Sequence, residues 1–550
     1  MILVCFGLTA SAQKKGGAGT SYLKSVKPQT DLKINFTWGD TFKIPNHYVS
    51  LALVGSPNKG VVEIFNREMK AFVLKRHEGK YKTPAVTTVS LDMLPAATTS
   101  EVFVTLKGRS FWVYSNWEKE SAVERIYARE FDFEHLAFSE QKVLIQFQDK
   151  ISASEKPFLN TDPRITFTQM DGYKARKYQF ALSQDTTRFT IKYTLKSNAA
   201  DGDKLPETFG LSIFDENLQA VKGGTYTMPY ARELMQIVDY QLGPDDEPCF
   251  LVKVFDSPQS TPSVEGKQHF EVLRFSGDNR KPNILQIPCE GKSMMSMGIY
   301  KNINKEIVCA GIYSQQERGL EEGIYLAKLD LKENVFRSYR KGSYRFPSEQ
   351  TGANKVVRNP SATKANVKQP ESVKTIVHLK DLWFHANGSM TITAEEQAIT
   401  ETLISGKKGK PESERIYHFR NIVMITIDSA GSMTGFKKIL KSQSGNEKPG
   451  EMSFDLIRSG NDPVLFYMDN PKNVKLRSNQ APAHFTDGAG GIIVCLDIDS
   501  SGKETKKILF DSKLKKQMVF PTRFFHLSQT RIMGVAFKEG TETCFFVEIN

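Results

Sequence analysis

The chain has 550 residues, of which 25% are charged, and a formal net charge of +12. With 36 Phe and 18 Tyr, this composition is typical of a strand-rich folded protein and excludes a chain that is mainly disordered. No segment approaches the roughly 20 consecutive apolar residues of a membrane-spanning helix, so no such span is predicted.

The first residues have the pattern of a secretory signal. An apolar run over residues 2–8 precedes Ala10-Ser11-Ala12, the kind of small-residue site at which signal peptides are cleaved. Residues 1–12 are predicted as a signal peptide without the usual basic start, with a buried first strand as the alternative. Residues 13–30 are predicted as a flexible segment. We expect a periplasmic or secreted protein of the cell envelope.

The positive charge is spread along the chain, and its densest stretches, residues 355–374 and 407–410, have the composition of loops. We interpret it as solvated loop charge, with an anionic partner such as an acidic polysaccharide as the alternative. No specific nucleic-acid partner is predicted.

Neither the cysteines nor the short sequence motifs indicate a metal site or a catalytic site. The cysteines after the signal are odd in number, widely spaced and mostly set in apolar runs, so we expect packed free thiols, with one isolated disulfide as the alternative. The sequence contains no Cys-x-x-Cys, His-Glu-x-x-His or Gly-x-Ser-x-Gly. No metal site, cofactor or catalytic motif is predicted.

Turns of one kind recur between residues 213 and 502. Each ends an apolar strand with Asp or Ser and then supplies Gly or Asn, which favour side-chain capping and left-handed backbone. Each is predicted to join two strands of one repeated unit. The five turns are residues 213–217, 275–279, 329–334, 427–431 and 498–502.

A second apolar strand stands in front of each turn, and weaker copies occur elsewhere. Eight candidates with wide spacing fit a single β-propeller of eight four-stranded blades with loop insertions, or of seven blades as the alternative. The eight strands are residues 48–54, 110–114, 188–195, 249–255, 307–313, 389–395, 464–468 and 531–537.

The two ends of the chain are predicted to close the ring. Residues 543–549 match the third strand of a blade, and residues 32–38 alternate apolar and polar side chains as a fourth strand would. An unpaired apolar edge is a feature that folded proteins avoid. The propeller is expected to span residues 31–550, with loop insertions near 347–370 and 398–415.

Local patterns add three further expectations. Asn387-Gly388 between two strand-forming runs predicts a hairpin with a type I′ turn. Residues 121–130 are predicted as strand, and residues 230–237 as one or two helical turns.

The strand and turn motifs of residues 185–550 resemble those of uncharacterised secreted propeller-like proteins of the Bacteroidetes. This resemblance implies a propeller fold and an envelope location, and it leaves the function open. The residues that carry it are 378–381, 387–388, 394–397, 420–428, 437–443 and 466–473.

Glu395 and Glu396 are the candidate ligand-binding residues. They are predicted to end a strand near the mouth of the propeller, with a solvated strand end as the alternative. Neighbours on a strand point to opposite faces, so these two cannot act as an acid and base across one bond. His378, His385 and His418 belong to the same unit and are interpreted as half-buried histidines, with convergence on one site as the alternative.

The aromatic residues Trp112, Tyr114 and Trp117 could stack on a sugar, but contacts between blades are the favoured interpretation. The favoured function is that of a non-enzymatic envelope or secreted protein that binds a protein or surface polymer through one face of the ring. The alternative is a propeller enzyme acting on polysaccharide, a hydrolase or lyase. Acidic or His residues within about 6 Å of each other in the central channel would favour that alternative.

Overall fold

The computed structural model describes the chain in segments, and every structural statement below concerns them. The predicted signal peptide, the segment 13–30 and most of the predicted insertion 347–370 lie outside them. The described residues are 34–43, 49–56, 60–67, 70–77, 86–92, 94–95, 98–148, 151, 165–167, 177–195, 204–258, 268–277, 280–289, 291–314, 322–347, 375–405, 411–446, 450–459, 462–476, 480–498 and 503–549.

The protein is a β-propeller of eight antiparallel, four-stranded blades. The first half of the ring contains these strands in chain order: β1 (Ile34–Lys43); blade 1 with β2 (Val49–Ser56), β3 (Gly60–Arg67), β4 (Ala71–His77) and β5 (Val86–Ser90); blade 2 with β6 (Thr98–Leu106), β7 (Arg109–Glu118), β8 (Val123–Asp132), β9 (Ala137–Phe138), β10 (Lys142–Phe147) and the added β11 (Ile165–Phe167); blade 3 with β12 (Tyr178–Leu182), β13 (Phe189–Thr194), β14 (Pro206–Phe214) and β15 (Ala220–Ala231); blade 4 with β16 (Met235–Leu242), β17 (Pro248–Phe255), β18 (Gln268–Arg274) and β19 (Asn283–Gln286).

The second half contains the strands of blade 5, β20 (Ser293–Lys301), β21 (Ile307–Ser314), β22 (Glu322–Asp330) and β23 (Val335–Arg345); blade 6, β24 (Ile376–Phe384), β25 (Met390–Ser405), β26 (Pro411–Ile427), β27 (Met433–Ile439) and the short β28 (Gln443–Gly445); blade 7, β29 (Phe454–Ser459), β30 (Asp462–Asp469), β32 (Ile492–Ile498) and β33 (Glu504–Asp511); and blade 8, β34 (Met518–Val519), β35 (Phe525–His526), β36 (Arg531–Lys538) and β37 (Thr541–Ile549). The short β31 (Phe485–Thr486) lies between β30 and β32 in the chain but joins the sheet of blade 6. Helical structure is confined to α1 (Ser512–Lys515) and to short 3-10 turns at Arg232–Leu234, Pro471–Lys475 and Pro521–Arg523 within the described segments.

The five predicted turns all occupy one structural position. They join the third and fourth strands of blades 3 to 7, although parts of the turns at 275–279 and 498–502 lie outside the described residues. The Asp215 side chain accepts hydrogen bonds from the backbone N–H groups of Asn217 and Gln219, at 2.9 and 2.8 Å. The Asp428 side chain accepts one from Ser432 N at 2.7 Å. The turn-based prediction of repeated blades is confirmed.

Seven of the eight predicted strands are second strands of their blades. The exception is residues 48–54, which form β2, the first strand of blade 1. The second strand of that blade is β3, a run whose residues 61–65 are all buried. The charged residue Glu63 interrupts this buried apolar run, whereas β2 has no charged residue.

The predicted closure by the two chain ends is confirmed. Strand β1 pairs with β37 in antiparallel register from Ile34 opposite Ile549 to Lys43 opposite Thr541. It forms the fourth strand of blade 8, in the order β34, β36, β37, β1. Buried Phe36 lies 5.7 Å from both Phe510 and Phe545, measured between ring centroids. The closing strand therefore ties blade 8 to blade 7 through aromatic packing.

Three local expectations require correction. The predicted insertion 398–415 is mainly strand, because β25 continues to Ser405 and β26 begins at Pro411. Residues 230–237 are strand apart from the 3-10 turn Arg232–Leu234. The hairpin at Asn387-Gly388 exists, but only Gly388 has positive φ, at 79°. The turn is therefore not type I′, which requires positive φ at both central residues. Residues 121–130 are largely strand β8, as expected.

Polar side chains connect neighbouring first strands. The first strands of blades 1, 2, 4, 5 and 6 each have a register shift that marks a β-bulge. Just after the bulge in blade 4, Asp239 accepts a hydrogen bond from Ile299 N of blade 5 at 3.0 Å. At the same place in blade 5, Ser296 accepts one from Leu379 N of blade 6 at 3.1 Å. These bonds fix the order and height of adjacent blades.

The cysteines are free thiols, as expected, and four of the five in the described residues are buried. One of them, Cys544, belongs to a buried polar cluster between blades 8 and 1. Its sulfur lies 3.2 Å from His77 Nδ1, and His77 Nε2 lies 2.7 Å from Glu63. Burial, followed by the hydrogen bond and negative charge of Glu63, raises the pKa of Glu542 to about 9, although Lys75 opposes this shift. Glu542 is therefore protonated at neutral pH.

We predict that Phe36→Ala lowers the free energy of unfolding by about 3–5 kcal/mol, because it empties the aromatic contact that closes the ring. Thr41→Ala on the same strand removes an exposed hydroxyl that lies 2.9 Å from the Thr543 hydroxyl, and it should cost much less. Equilibrium denaturation of both variants measures the difference. Equal destabilisation would contradict the assigned role of Phe36.

We also predict that Glu542→Gln flattens the pH dependence of stability. The unfolded carboxyl ionises near its ordinary pKa of 4.5, whereas the folded one keeps its proton until about pH 9. Parent stability should therefore fall as pH rises between these values, by at most about 1.4 kcal/mol per pH unit from this group. Denaturation at pH 6 and pH 8.5 tests this, with the exposed Glu548→Gln on the same strand as the control.

Candidate functional site

The two faces of the ring differ in the length of their connections. Because the four strands of a blade alternate in direction, the connections between strands two and three and between successive blades share one face. Six stretches of chain on that face are at least as long as any on the other: 148–177, 195–205, 256–267, 346–375, 440–453 and 470–491. We call it the long-connection face.

Blade 6 is extended on the long-connection face. Strands β25 and β26 have 16 and 17 residues and pair along their whole length, down to Ser405 opposite Pro411. Two short strands widen this hairpin, since β28 pairs antiparallel with β26 and β31 pairs parallel with β28. We call the resulting four-stranded surface the blade 6 extension, residues 397–405, 411–420, 443–445 and 485–486.

The two sides of the blade 6 extension have different composition. Alternation along each strand places Phe419, Gln443 and Phe485 on one side, where all three are buried. The opposite side carries hydroxyl, imidazole and guanidinium groups. We call this side, together with the residues directly before β28 and β31, the polar face; it consists of Thr400, His418, Arg420, Ser442, Ser444 and His484.

Hydrogen bonds join the members of the polar face. His484 contacts two hydroxyls, with Nδ1 3.0 Å from Ser442 Oγ and Nε2 2.8 Å from Ser444 Oγ. His418 Nε2 lies 3.0 Å from Thr400 Oγ1. A neutral imidazole has one N–H donor and one lone pair, and a hydroxyl can serve either, so these contacts suit neutral histidines.

The charge on the polar face comes from Arg420. Its guanidinium donates to Thr375 Oγ1 at 2.8 Å, and no described carboxylate lies within ion-pair distance of it. Burial, then the charge of Arg420 and the nearby His484, lower the pKa of His418 to about 4. Partial burial and Arg420 also lower the pKa of His484. At neutral pH the face therefore presents one positive charge among neutral donors and acceptors.

Glu395, predicted as a ligand-binding residue at a strand end, lies inside β25 and is fully buried. Lys441 Nζ lies 2.6 Å from it, and both side chains have 0% exposure. Ser453 Oγ and Gln397 Nε2 also donate to its carboxylate, at 2.7 and 3.1 Å. Because β25 continues to Ser405, Glu395 does not end a strand, and that part of the prediction is wrong. Its role in ligand binding stays a prediction.

The charges of this buried pair depend on each other. Burial opposes ionisation of Glu395, but Lys441 and Lys380 hold the pKa of the carboxyl below its ordinary value. Burial lowers the pKa of Lys441, and Glu395 opposes that shift. The pair is a structural anchor at the base of the blade 6 extension.

Glu396 is only partly buried, and both of its carboxylate oxygens have partners within the protein. Lys438 Nζ lies 2.6 Å from one of its oxygens, and Asn421 Nδ2 donates to the other at 2.6 Å. Both predicted carboxylates thus support the blade 6 extension from below, and the polar face itself was not predicted.

The other singled-out side chains have structural contacts. The three histidines of blade 6 have separate surroundings: His385 contacts Thr391 at 2.8 Å, His378 pairs in register with Glu395, and His418 lies on the extension. Trp112 is buried and lies 4.8 Å from Phe72 of blade 1 between ring centroids. Contacts between blades, the favoured interpretation of Trp112, are confirmed.

One acid and histidine pair does lie at the innermost strands. Asp455 of β29 and His526 of β35 are 2.8 Å apart and partly exposed. Their separation lies within the roughly 6 Å that the enzyme alternative requires of two such residues. The two residues are 71 positions apart, and no sequence motif connects them.

Metal and membrane sites find no support in the described segments. They hold no group of three or more His, Cys, Asp or Glu side chains arranged for a metal ion. None of their helices combines the length and hydropathy of a membrane span.

Comparison with known proteins gives structural similarities only. No protein-family model matches the chain, and no curated protein sequence matches it. Prolyl oligopeptidase B from Galerina marginata is 10% identical with a TM-score of 0.37; the match covers 90% of this chain and spans only 56% of that one.

Two other solved structures are matched over nearly their whole length. The WD40 domain of SCAP from fission yeast is 10% identical over 93% of this chain and 98% of that chain, with a TM-score of 0.34. The polysaccharide lyase Uly1 is 10% identical over 92% of this chain and 100% of that chain, with a TM-score of 0.35. At such values these similarities say nothing about activity, and the fold assignment rests on the sheets described above.

We predict that Glu395→Gln destabilises the protein by about 3–5 kcal/mol, because it leaves the Lys441 charge buried without its partner. Glu396→Gln should cost less, since that carboxylate is partly exposed. Chemical denaturation of both variants provides the comparison. A ligand-contacting Glu395 would instead show unchanged stability together with altered binding.

Proposed function

We propose that the protein binds an anionic, hydroxyl-rich surface polymer, an acidic polysaccharide of the cell envelope or its surroundings, on the polar face of blade 6. The observation that carries this proposal is Arg420, a guanidinium without a carboxylate partner in the described segments, set among the hydroxyls and imidazoles of the polar face. A guanidinium pairs well with carboxylates, and neutral hydroxyls exchange hydrogen bonds with sugar hydroxyls. A location in the periplasm or outside the cell belongs to the same proposal.

The geometry of the blade 6 extension suits an extended ligand. Its four strands lie about 4.8 Å apart, so polar groups recur across the sheet at regular intervals. The long connections of neighbouring blades share the same face and provide further surface along a polymer. This arrangement supports the proposal that binding occurs through one face of the ring.

A polysaccharide hydrolase or lyase is the second candidate, and one observation favours it. Asp455 and His526 form a partly exposed pair on the innermost strands of adjacent blades. A carboxylate can orient a histidine and support its action as a base. The two candidates differ in place, since the polar face lies on blade 6 and its neighbour whereas this pair lies at the innermost strands.

We predict that Arg420→Ala weakens binding of polygalacturonate by at least tenfold in isothermal titration calorimetry, because it removes the unpaired charge of the polar face. The control is Arg337→Ala, an arginine of blade 5 whose side chain is 62% exposed and pairs with Asp330 at 3.4 Å. Binding that is equal in both variants, or absent from the parent for every uronate polymer tried, would contradict the proposal.

The enzyme candidate has its own readout. Release of reducing ends or of unsaturated sugars from the same polymers would favour it, provided that His526→Gln abolishes the release and Arg420→Ala does not. Binding without turnover favours the polymer-binding function.

A further inference from the structure

His484 can gain a proton while both of its ring nitrogens keep their hydrogen-bond partners. Each ring nitrogen already lies within 3.0 Å of a serine hydroxyl, Ser442 on one side and Ser444 on the other. In the neutral ring one nitrogen accepts, so one of the two serines must donate its proton to the ring. In the imidazolium both nitrogens donate and both serine oxygens accept.

Protonation therefore changes what the serines offer to a ligand. When both hydroxyls accept from His484, both O–H groups are released to point away from the ring. A carboxylate above the polar face would then meet two hydroxyl donors and a new positive charge. The neutral form offers one donor fewer and no charge at this position.

The groups that face His484 define the electrostatics of this change. From β26 they are Arg420 and His418, and the charge of Arg420 opposes protonation. From the connection before β31, Asn470 Nδ2 donates to the His484 backbone carbonyl at 2.6 Å and carries no charge. Asp487, three residues further on, accepts a hydrogen bond from Glu451 N at 2.7 Å. In the free protein, burial and the charge of Arg420 disfavour the imidazolium, and a bound anion would supply negative charge beside it.

We propose that Ser442, His484 and Ser444 form a carboxylate-binding subsite in which His484 takes up a proton as the ligand binds. This inference rests on the proposed polymer-binding function and adds the chemical group recognised and the proton that accompanies it. His484 acts as the proton acceptor, the two serines present hydroxyl donors to the carboxylate, and Arg420 supplies the fixed charge.

Linkage gives the sign of the pH dependence. A ligand that stabilises the imidazolium raises the pKa of His484 in the complex above that of the free protein. Affinity for a polyuronate should therefore increase as pH falls from 8 toward 5.5, by no more than tenfold per pH unit for one coupled proton. His418 is buried more deeply and contacts a single threonine hydroxyl, so it should contribute little over this range.

Calorimetric titration of oligogalacturonate in buffers of different ionisation enthalpy tests the proposal directly, because proton uptake makes the observed heat depend on the buffer. At pH 6.5 we expect net uptake of a fraction of a proton per site by the parent and by His418→Gln. His484→Gln should bind more weakly at pH 6 and show no buffer dependence. Ser444→Ala should retain part of the uptake and lose affinity.

The outcomes separate this inference from the function on which it rests. Binding that depends on Arg420 but shows no proton uptake at any pH would overturn the carboxylate subsite and leave polymer binding in place. Absence of binding in the parent would overturn both. If His484→Gln is unstable, the ring protons of His484 followed by NMR through a pH titration give the same answer, since an unchanged pKa upon ligand addition would contradict the proposal.

Discussion

The pairing of β1 with β37 is the constraint on which the whole ring depends. Each blade buries its faces against two neighbours, so a ring that stays open leaves apolar faces and a strand edge exposed to solvent. The closing strands join positions as far apart as Thr41 and Thr543, which are separated by 502 positions. The loop entropy of such a contact grows only slowly with chain length, and the aromatic cluster around Phe36 opposes it. The ring is thus closed by two strands that pair directly although they lie at opposite ends of the described chain.

Between blades, apolar packing and polar contacts have different roles. Apolar surfaces can slide over one another at small cost, whereas hydrogen bonds to a backbone N–H require one register. The bonds from Asp239 to Ile299 N and from Ser296 to Leu379 N connect three successive first strands in this way. The cluster of Glu63, His77 and Cys544 does the same at the boundary between the last and first blades. Buried polar groups therefore appear where the relative height of blades must be fixed.

The sequence contained the repeat but not the candidate site. Turns with Asp215 or Asp428 are local, because the side chain bonds to backbone only a few residues away, and such signals can be read directly. Contacts around His484 are not local: the ring meets serines 40 and 42 positions earlier, through a parallel pairing of two very short strands. No periodicity marks strands of two or three residues. Glu395 follows an apolar and hydroxyl-bearing run, a pattern that predicts a strand end, but its partner Lys441 is 46 positions away and could not be inferred from the sequence.

A polar face mounted on strands has an advantage over one mounted on loops. The backbone of His484 is held by Asn470, and the next residue, Phe485, donates its N–H to Ser442 O at 2.9 Å. Below the sheet, the ion pair of Glu395 and Lys441 resists displacement because separating two buried charges is costly. Side chains fixed in this way lose little further freedom when a ligand arrives, so more of the interaction energy remains for binding. In the proposed function, the buried carboxylate of Glu395 would therefore support recognition indirectly, by keeping the surface above it rigid.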